Sequence, residues 1–296
     1  RQETIGTGLG TETIGMGLYA DNEATGKDST LPYASKYYYS GKTVDNYLSF
    51  PNTSRDSTSA TTWRIINVAE NDSIKMMYLD ALEGYYNMND SITNRSNFYK
   101  LSIYEEILSW IDSGYVGNNS NDLYIDFSDS GHIDTAIFYL GAIDRRGTDA
   151  SNSSTLLEVT DERTNTAALS LEEIAWNSKL GFINVTDITK SSNSSNVFSI
   201  RSMQENKSSY KDTSWVGSGD YLWSLNYVDS NLQKNQFWRL DGNEFLSKYT
   251  GNAFSGAIAP VVYLKNNTIL SGIGTTGDPF VVQKDWRWFD SYQVLQ

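Results

Sequence analysis

Acidic side chains between residues 122 and 134 form the best candidate for a metal site in this chain. Carboxylate oxygens are the hard ligands that Ca²⁺ prefers, and they would come from Asp122, Asp126, Asp129 and Asp134. Their spacing, however, matches no calcium-loop motif. We therefore expect no cofactor, and calcium binding by these aspartates is kept as the alternative.

The residue types needed for nucleophilic catalysis are scarce. The chain has one histidine, His132, and no cysteine, so a triad or a zinc site would need unusual substitutes. We interpret His132 as a loop or strand-edge residue. Paired glutamates at Glu105-Glu106 and Glu172-Glu173 lie in first turns of predicted helices, where the helix dipole favours negative charge. We predict that the protein is not an enzyme, and a hydrolase of surface polymers is the remaining catalytic alternative.

Large aromatic residues gather between residues 215 and 238, and two interpretations are open. Their rings could form an exposed surface on which a sugar stacks, with Trp223 and Trp238 as the candidate glycan contacts. Large aromatics that alternate along strands are also typical of sheet cores. The set comprises Trp215, Tyr221, Trp223, Tyr227 and Trp238.

Charge and composition limit the classes of partner. The formal net charge is −13 and no basic cluster is present, which argues against nucleic acid and anionic lipid as partners. No apolar run is long enough to span a membrane. Hydrophobic residues make up 39% and aromatic residues 13% of the chain, which indicates a globular body. Its Ser/Asn/Thr-rich loops between aromatic-rich strands suit an extracellular β-rich protein.

A glycine-alternating repeat occupies residues 1–18, which we treat as a leader. The segment ETIGTGL, which begins at Glu3, returns as ETIGMGL from Glu12. The offset between the copies is odd, so one continuous strand would place their apolar side chains on opposite faces unless the chain bends near Gly10. The leader is either a flexible segment or a strand that pairs with a neighbouring subunit. Its candidate assembly residues are Ile5, Leu9, Ile14, Met16 and Leu18.

The C-terminal tail, residues 283–296, is the second candidate assembly segment. Trp286 and Trp288 share one parity, as they would on one face of a strand. We therefore divide the chain into a leader (1–18), a single domain (19–282) and a tail (283–296). The partner expected for both ends is another copy of the chain.

Between these ends, the hydrophobic pattern predicts an α+β domain, with a mostly antiparallel, loop-rich sheet and two short helices. The helices begin at the capping boxes Ser102–Glu105 and Ser170–Glu173 and end near Gly114 and Gly181. Strands are predicted at residues 37–39, 47–50, 63–68, 74–78, 136–140, 181–185, 221–225, 236–240, 261–264, 269–270 and 280–282, with hairpin turns at Asn71-Asp72 and Asp241-Gly242.

Several separated blocks resemble one family of cell-surface domains. The blocks are Gly17-Leu18-Tyr19, Tyr37-Tyr38-Tyr39, Val44 to Phe50, Trp63 to Ile66, Asp72 to Lys75, Trp176 to Phe182 with Asp187, Leu222 to Leu225, and Pro260 to Lys265 with Gly274-Thr275 and Asp278-Pro279-Phe280. In order and spacing they are similar to surface domains of clostridia and related Firmicutes, which often follow a membrane segment or a pilin-like helix. The resemblance covers most of residues 17–282.

The resemblance implies a location outside the cell and a fold distantly similar to that of C-type lectins and the formylglycine-generating enzyme. The chemistry of that enzyme depends on cysteine, so it is not implied for this chain. The leader and the tail depart from the family pattern.

Two functions follow as expectations. The first is a non-enzymatic extracellular protein, a structural or adhesive subunit of a pilus-like filament that assembles through its terminal strands. The alternative is a lectin-like adhesion module that binds a glycan or a host surface through exposed aromatic rings.

Overall fold

The computed structural model describes the chain in separate segments. They are residues 2–4, 11–13, 17–20, 33, 35–51, 60–80, 82, 86, 88, 102–117, 123–127, 132–140, 175–192, 207–216, 221–227, 236–241, 245–250 and 256–282. Within them the protein is α+β, as predicted: strands in mostly antiparallel sheets predominate, and the helices are few.

The strands and helices of the described segments are numbered here in chain order. They are β1 (Gln2–Thr4), β2 (Thr11–Thr13), β3 (Leu18–Ala20), β4 (Ser35–Tyr39), β5 (Tyr47–Pro51), β6 (Ala60–Ala69), β7 (Ile74–Tyr78), α1 (Ser102–Ser113), β8 (Tyr115–Val116), β9 (Leu123–Tyr124), β10 (Ala136–Tyr139), β11 (Ala175–Ser178), β12 (Gly181–Phe182), α2 (Val185–Lys190), α3 (Lys207–Thr213), β13 (Leu222–Tyr227), β14 (Gln236–Asp241), β15 (Phe245–Thr250), β16 (Pro260–Leu264), β17 (Leu270–Ser271) and β18 (Phe280–Val282).

An eleven-stranded sheet organises the molecule, and the long strand β6 is its centre. One edge of β6 pairs with β5 over Ala60 to Arg64 and with β4 over Asn67 to Ala69. Its other edge pairs with β7, which continues to β16 and β12. The β5 side continues to β18, which runs parallel to β5, and then to β17. Smaller sheets pair β10 with β11, β8 with β9, and β13 with β14 and β15.

The core lies on both faces of β6. Residues Trp63 to Asn67 are buried without a break, which is the pattern of a strand covered on both sides. Trp63 is fully buried, and its ring packs against Phe50 and Tyr78 at centroid distances of 6.2 Å and 5.4 Å. Burial of such large rings makes β6 the element around which the other strands are placed.

Most predicted strands and both predicted hairpins are confirmed. The β6–β7 hairpin turns at Asp72, whose φ of 63° is left-handed. The β14–β15 hairpin pairs Asp241 with Phe245. The glycine-rich closing segment also has the expected turn geometry, with φ of 88° at Gly272 and 79° at Gly274. The strands predicted at 37–39 and 47–50 are present as parts of β4 and β5, and each of them pairs with β6.

The first predicted helix is confirmed. The second is wrong from residue 175 onward, and its predicted start at residues 170–174 lies outside the described residues. Helix α1 spans Ser102–Ser113 and is followed by Gly114, with φ of 78°. The segment expected to be the end of the second helix is instead strand β11, in which Trp176 and Ser178 are buried and Asn177 is exposed. Trp176 packs on Phe138 of β10, with ring centroids 5.7 Å apart, so tertiary packing overrides the helical pattern of residues 175–178.

Two helices lie where the sequence did not predict them. Helix α2 occupies Val185–Lys190, directly after β12, and helix α3 occupies Lys207–Thr213. Both helices are short, so the hydrophobic periodicity that would predict them is weak. Across the described part of the chain, no helix is both long and apolar enough to cross a membrane.

The leader folds back on its own chain. Strand β1 pairs antiparallel with β2, with Glu3 opposite Glu12. Strand β2 then pairs with β3 of the domain through Glu12↔Tyr19 and Thr13↔Leu18. Strands β1 and β2 therefore run in opposite directions, and the bend predicted near Gly10 lies outside the described residues. The assembly candidates Ile5, Leu9, Ile14, Met16, Trp286 and Trp288 lie outside the described residues.

Candidate functional site

A buried ion pair joins strand β7 to helix α2. Lys75 Nζ lies 2.6 Å from Asp187 Oδ2 and donates a hydrogen bond to it. Lys75 is 3% and Asp187 8% exposed, so both charges have lost almost all contact with bulk water. A buried charge is tolerated when a counter-charge and hydrogen bonds replace the solvent. This site supplies both.

The side chain of Asn184 adds a second contact to the lysine. Its Oδ1 accepts a hydrogen bond of 2.8 Å from Lys75 Nζ. Its Nδ2 donates to the carbonyl oxygen of Tyr139 at 2.9 Å and to Asn226 Oδ1 at 3.2 Å. Asn226 Oδ1 also accepts from the N–H of Val185 at 2.9 Å. The carboxamide of Asn184 is therefore held in one orientation by groups from β7, β10 and β13.

Local sequence explains why Asn184 and Asp187 face each other. Asn184 is the N-cap of α2 and Asp187 is the third residue of that helix. The backbone N–H of Asn184 donates to Asp187 Oδ2 at 2.9 Å, which is the acidic half of a capping box. Asp187 Oδ2 therefore accepts both the capping hydrogen bond of α2 and the hydrogen bond from Lys75.

Asn67 brings the central strand β6 into this network. Its Nδ2 donates to Asp187 Oδ1 at 3.4 Å. Asn67 is 5% exposed, and its Oδ1 is buried with no hydrogen-bond partner among the described atoms. An unsatisfied buried oxygen is unfavourable by about 1–3 kcal/mol, so this position retains unused capacity to accept a hydrogen bond.

A small cleft lies against the network. Its volume is about 30 Å³, and a cavity needs roughly 10–15 Å³ on the same measure to hold one water molecule. The cleft therefore has room for a molecule the size of water or ammonia. It is lined by Tyr33, Ser35, Tyr38, Tyr39, Ile66, Asn67, Lys75, Tyr139, Asn184, Thr186, Asp187, Lys190 and Tyr263.

Tyr33 lies at the rim of the cleft in a left-handed conformation, with φ of 64°. Its hydroxyl donates to Asp134 Oδ2 at 2.7 Å, and its ring meets that of Tyr263 edge-on at 5.1 Å. Burial, and then the hydrogen bond and charge of Asp134, raise the pKa of Tyr33 well above its ordinary value. The hydroxyl therefore remains a donor at neutral pH.

The network combines three chemical groups in a place where water is scarce. A deprotonated lysine amine is a nucleophile, a carboxamide carbon is an electrophile, and a carboxylate can carry a proton between them. Lys75, Asn184 and Asp187 supply these groups. The arrangement can therefore support chemistry between its own members as well as hold the fold together.

Two of the four calcium candidates fall within the described residues. Asp134 accepts a hydrogen bond from the hydroxyl of Tyr33. Asp126 lies shortly after the end of strand β9. Asp122 and Asp129 lie outside the described residues. In the part of the chain that the structure describes, no three His, Cys, Asp or Glu side chains converge. Calcium binding thus stays a prediction.

His132 lies beside a strand edge, as predicted. The N–H of Lys265 donates to the carbonyl oxygen of His132 at 2.8 Å. The next residue, Ile133, forms an isolated bridge with Leu264 at the end of β16. The backbone of His132 is therefore part of the sheet's margin.

The two tryptophans predicted as glycan contacts are buried. Trp223 and Trp238 are both 0% exposed, and Trp223 Nε1 donates to the carbonyl oxygen of Tyr86 at 2.8 Å. A sugar needs an exposed ring face, so the glycan prediction is wrong for these two rings and the core interpretation is right. Trp215 is also buried, whereas Tyr221 is 39% exposed.

Leu18 is the one assembly candidate among the described residues. It lies in β3, opposite Tyr39 of β4, and packs partly buried against the core. It therefore belongs to the domain's own sheet, and the leader as a separate segment ends before it.

No protein-family model, curated protein or solved structure matches the chain. Function is therefore inferred from the contacts of the chain itself.

Two features of the sequence point to the buried network, although neither identifies it alone. Lys75 is a single charge inside the apolar run of β7, IKMMY, and a charge in such a run needs a buried partner. Asn184 and Asp187 have the spacing of a capping box after the strand pair that precedes them. Their meeting depends on contacts across more than a hundred residues of chain, which local patterns do not encode.

Proposed function

We propose that the protein is a non-enzymatic extracellular subunit, structural or adhesive, that associates with other copies of itself through its terminal strands. The observation that carries the proposal is the position of the leader at one end of the large sheet. Strand β1 ends the strand order, and among the described strands it pairs with β2 alone.

The pairing between the leader and the domain supports exchange between copies. Strands β2 and β3 meet through two residue pairs, Glu12↔Tyr19 and Thr13↔Leu18. The same hydrogen bonds would form if β2 came from a neighbouring copy, because backbone pairing does not distinguish identical chains. Exchange would link subunits without any new contact surface.

The glycan-binding alternative has less support. Its two candidate rings, Trp223 and Trp238, are buried. We therefore prefer assembly, and a glycan array probed with and without calcium tests the alternative directly.

We also propose that residues 17–282 are a surface domain related to those of Firmicutes, with a distant similarity to the C-type-lectin fold. The α+β arrangement with antiparallel sheets is compatible with that relationship. An experimental structure in which β6, β7 and β16 superpose on such a domain would support it, and a different strand order there would contradict it.

Removal of the leader tests the assembly proposal. A variant lacking residues 1–16 keeps Leu18 and the whole of β3, so we expect it to fold but not to form polymers. Negative-stain electron microscopy and light scattering at high concentration measure assembly, and circular dichroism checks the fold. Polymers of unchanged length from the truncated chain would refute strand exchange.

A further inference from the structure

We propose that Lys75 and Asn184 form an autocatalytic covalent cross-link, a side-chain amide between Nζ of the lysine and Cγ of the asparagine, with Asp187 as the proton carrier. The proposal is independent of the assembly of subunits. It rests on the geometry of the three side chains.

The reacting atoms are already close. Lys75 Nζ lies 2.8 Å from Asn184 Oδ1, and a C=O bond is about 1.2 Å long, so Nζ is within about 4 Å of Cγ. Reacting atoms in productive complexes approach to about 3–3.5 Å. The remaining approach is about 0.5–1 Å, so the attack needs only a small movement of the Lys75 amine toward Cγ.

The surroundings favour the amine as a nucleophile. Lys75 is 3% and Asn184 2% exposed, so bulk water is excluded from the two groups. The ring centroid of Tyr263 lies 5.6 Å from Nζ, and Tyr39 and Tyr139 line the same cleft. The exclusion of water leaves the amine without a hydration shell and protects the product amide from hydrolysis.

Asp187 is placed to carry the proton. Its Oδ2 accepts from Lys75 Nζ at 2.6 Å and from the N–H of Asn184 at 2.9 Å. In the first step a proton passes from the ammonium to the carboxylate, and the freed electron pair on Nζ attacks Cγ of Asn184. As the tetrahedral intermediate collapses, Asp187 returns that proton to Nδ2, the Cγ–Nδ2 bond breaks and ammonia leaves. Asp187 then accepts the second proton of Nζ, so the products are a neutral amide, ammonia and protonated Asp187.

The reaction balances without a co-reactant. One C–N bond forms and one breaks, the oxidation state of every atom is unchanged, and one molecule of ammonia is released. Before reaction, Nδ2 of Asn184 is held by the Tyr139 carbonyl oxygen and by Asn226 Oδ1. The cleft of about 30 Å³ beside them gives the ammonia a way out.

Asn184 is the acyl group and Asp187 is not. An ionised carboxylate is a poor electrophile, and its reaction with an amine would release water instead of ammonia. The two outcomes therefore differ in the mass of the product.

Mass spectrometry of the purified, folded protein tests the proposal. We expect the intact chain to be lighter than its sequence mass by one ammonia. Trypsin should leave residues 65–95 joined to residues 180–190, because the amide blocks cleavage after Lys75. The full sequence mass, a deficit of one water, or an ammonia deficit confined to a single unlinked peptide would each overturn the proposal.

Variants assign the roles of the residues. Lys75→Arg and Asn184→Ala should restore the full variant mass and give separate peptides. The matched control is Lys36→Arg, since Lys36 forms an exposed ion pair with Asp72 at 2.9 Å, and it should keep the ammonia deficit. Asp187→Asn should remain unlinked, and a linked Asp187→Asn chain would overturn the role of Asp187. Peptide mapping of the wild-type protein decides the existence of the bond even where a variant fails to fold.

Discussion

At the scale of single residues, burial sets the protonation of several side chains. Burial raises the pKa of both Tyr39 and Tyr210 to about 12, whereas an unfolded tyrosine titrates near about 10. Burial also lowers the pKa of Arg64 to about 10. The cation of Arg64 lies over the rings of Tyr47 and Trp215, at 3.9 Å and 5.1 Å from their centroids, and these contacts offset part of its desolvation.

These shifts have opposite effects on stability in alkali. From about pH 10 to 12 the folded state keeps tyrosine protons that the unfolded state releases, so each buried tyrosine lowers the free energy of unfolding by about 1.4 kcal/mol per pH unit. Over the same window the unfolded state retains the Arg64 proton that the folded state releases. Arg64 therefore raises the free energy of unfolding as the pH rises. A variant that removes one hydroxyl isolates its contribution.

We expect Tyr210→Phe to lose stability less steeply than the wild type between pH 10 and 12. The hydroxyl is fully buried, so its removal also removes one proton from the difference between the two states. Urea unfolding at about pH 8, 10 and 11.5 measures how the free energy of unfolding changes with pH below and within this window. Parallel slopes for the two proteins would show that Tyr210 does not titrate abnormally.

Close packing at Gly181 gives a second prediction at this scale. A Cβ at Gly181 would lie 2.4 Å from Cε1 of Phe138, so we expect Gly181→Ala to lower the free energy of unfolding by about 1–3 kcal/mol. The control is Gly277→Ala, where a Cβ would have no neighbour within 4 Å. Equal urea midpoints for the two variants would contradict the packing at β12.

At the scale of elements, the sequence was informative where local signals and packing agree. The β6–β7 hairpin has apolar strands on both sides of an Asn-Asp turn, and α1 ends at a glycine with positive φ, so both were predicted correctly. Residues 175–178, in the second half of the second predicted helix, form strand β11 instead, because Trp176 is buried against Phe138.

Local sequence patterns did not predict the candidate site, because its residues meet through long-range contacts. The capping spacing places Asp187 at the start of α2, but its lysine comes from β7. The choice of partner is made by the β7–β16–β12 pairing, which places α2 beside β7. Pairing between strands that are far apart in the chain leaves no periodic pattern in a single sequence.

The left-handed turn at Asp72 gives a prediction about the central hairpin. Asp72→Gly and Asp72→Ala both remove the exposed ion pair with Lys36, but only alanine is strained at a φ of 63°. We expect the alanine variant to be less stable than the glycine variant by about 1 kcal/mol. Indistinguishable unfolding midpoints would mean that the turn relaxes to another conformation.

At the scale of the whole molecule, the large sheet joins distant parts of the chain. Strand β18 runs parallel to β5 through Phe280↔Leu48 and Val281↔Ser49, and the leader joins β4 through β3. The leader and the closing segment therefore belong to two branches that leave the same edge of β6, whereas β7, β16 and β12 extend its other edge. An added strand from another copy would meet a sheet that already spans the molecule.

A reversible staple tests strand exchange without shortening the chain. Thr13 and Leu18 are paired across β2 and β3, and paired Cα atoms in antiparallel strands lie about 4.5–5.5 Å apart, within disulfide range. The chain has no other cysteine. We expect a Thr13→Cys/Leu18→Cys variant that is oxidised as a monomer to stay monomeric, and to regain assembly when a reductant is added. Polymers from the oxidised monomer would exclude exchange of β2.

The strand order also determines how the protein would respond to a mechanical load. A pull applied at Gln2 and Val282 enters the sheet at β1 and β18, in the two branches that leave one edge of β6. The β1–β2 hairpin, held by three residue pairs, would peel away first. With the proposed amide in place, tension would pass from Lys75 straight to Asn184, and residues 76–183 would bear none of it. The extension at which the chain becomes taut would then be shortened by the length of that sheltered segment.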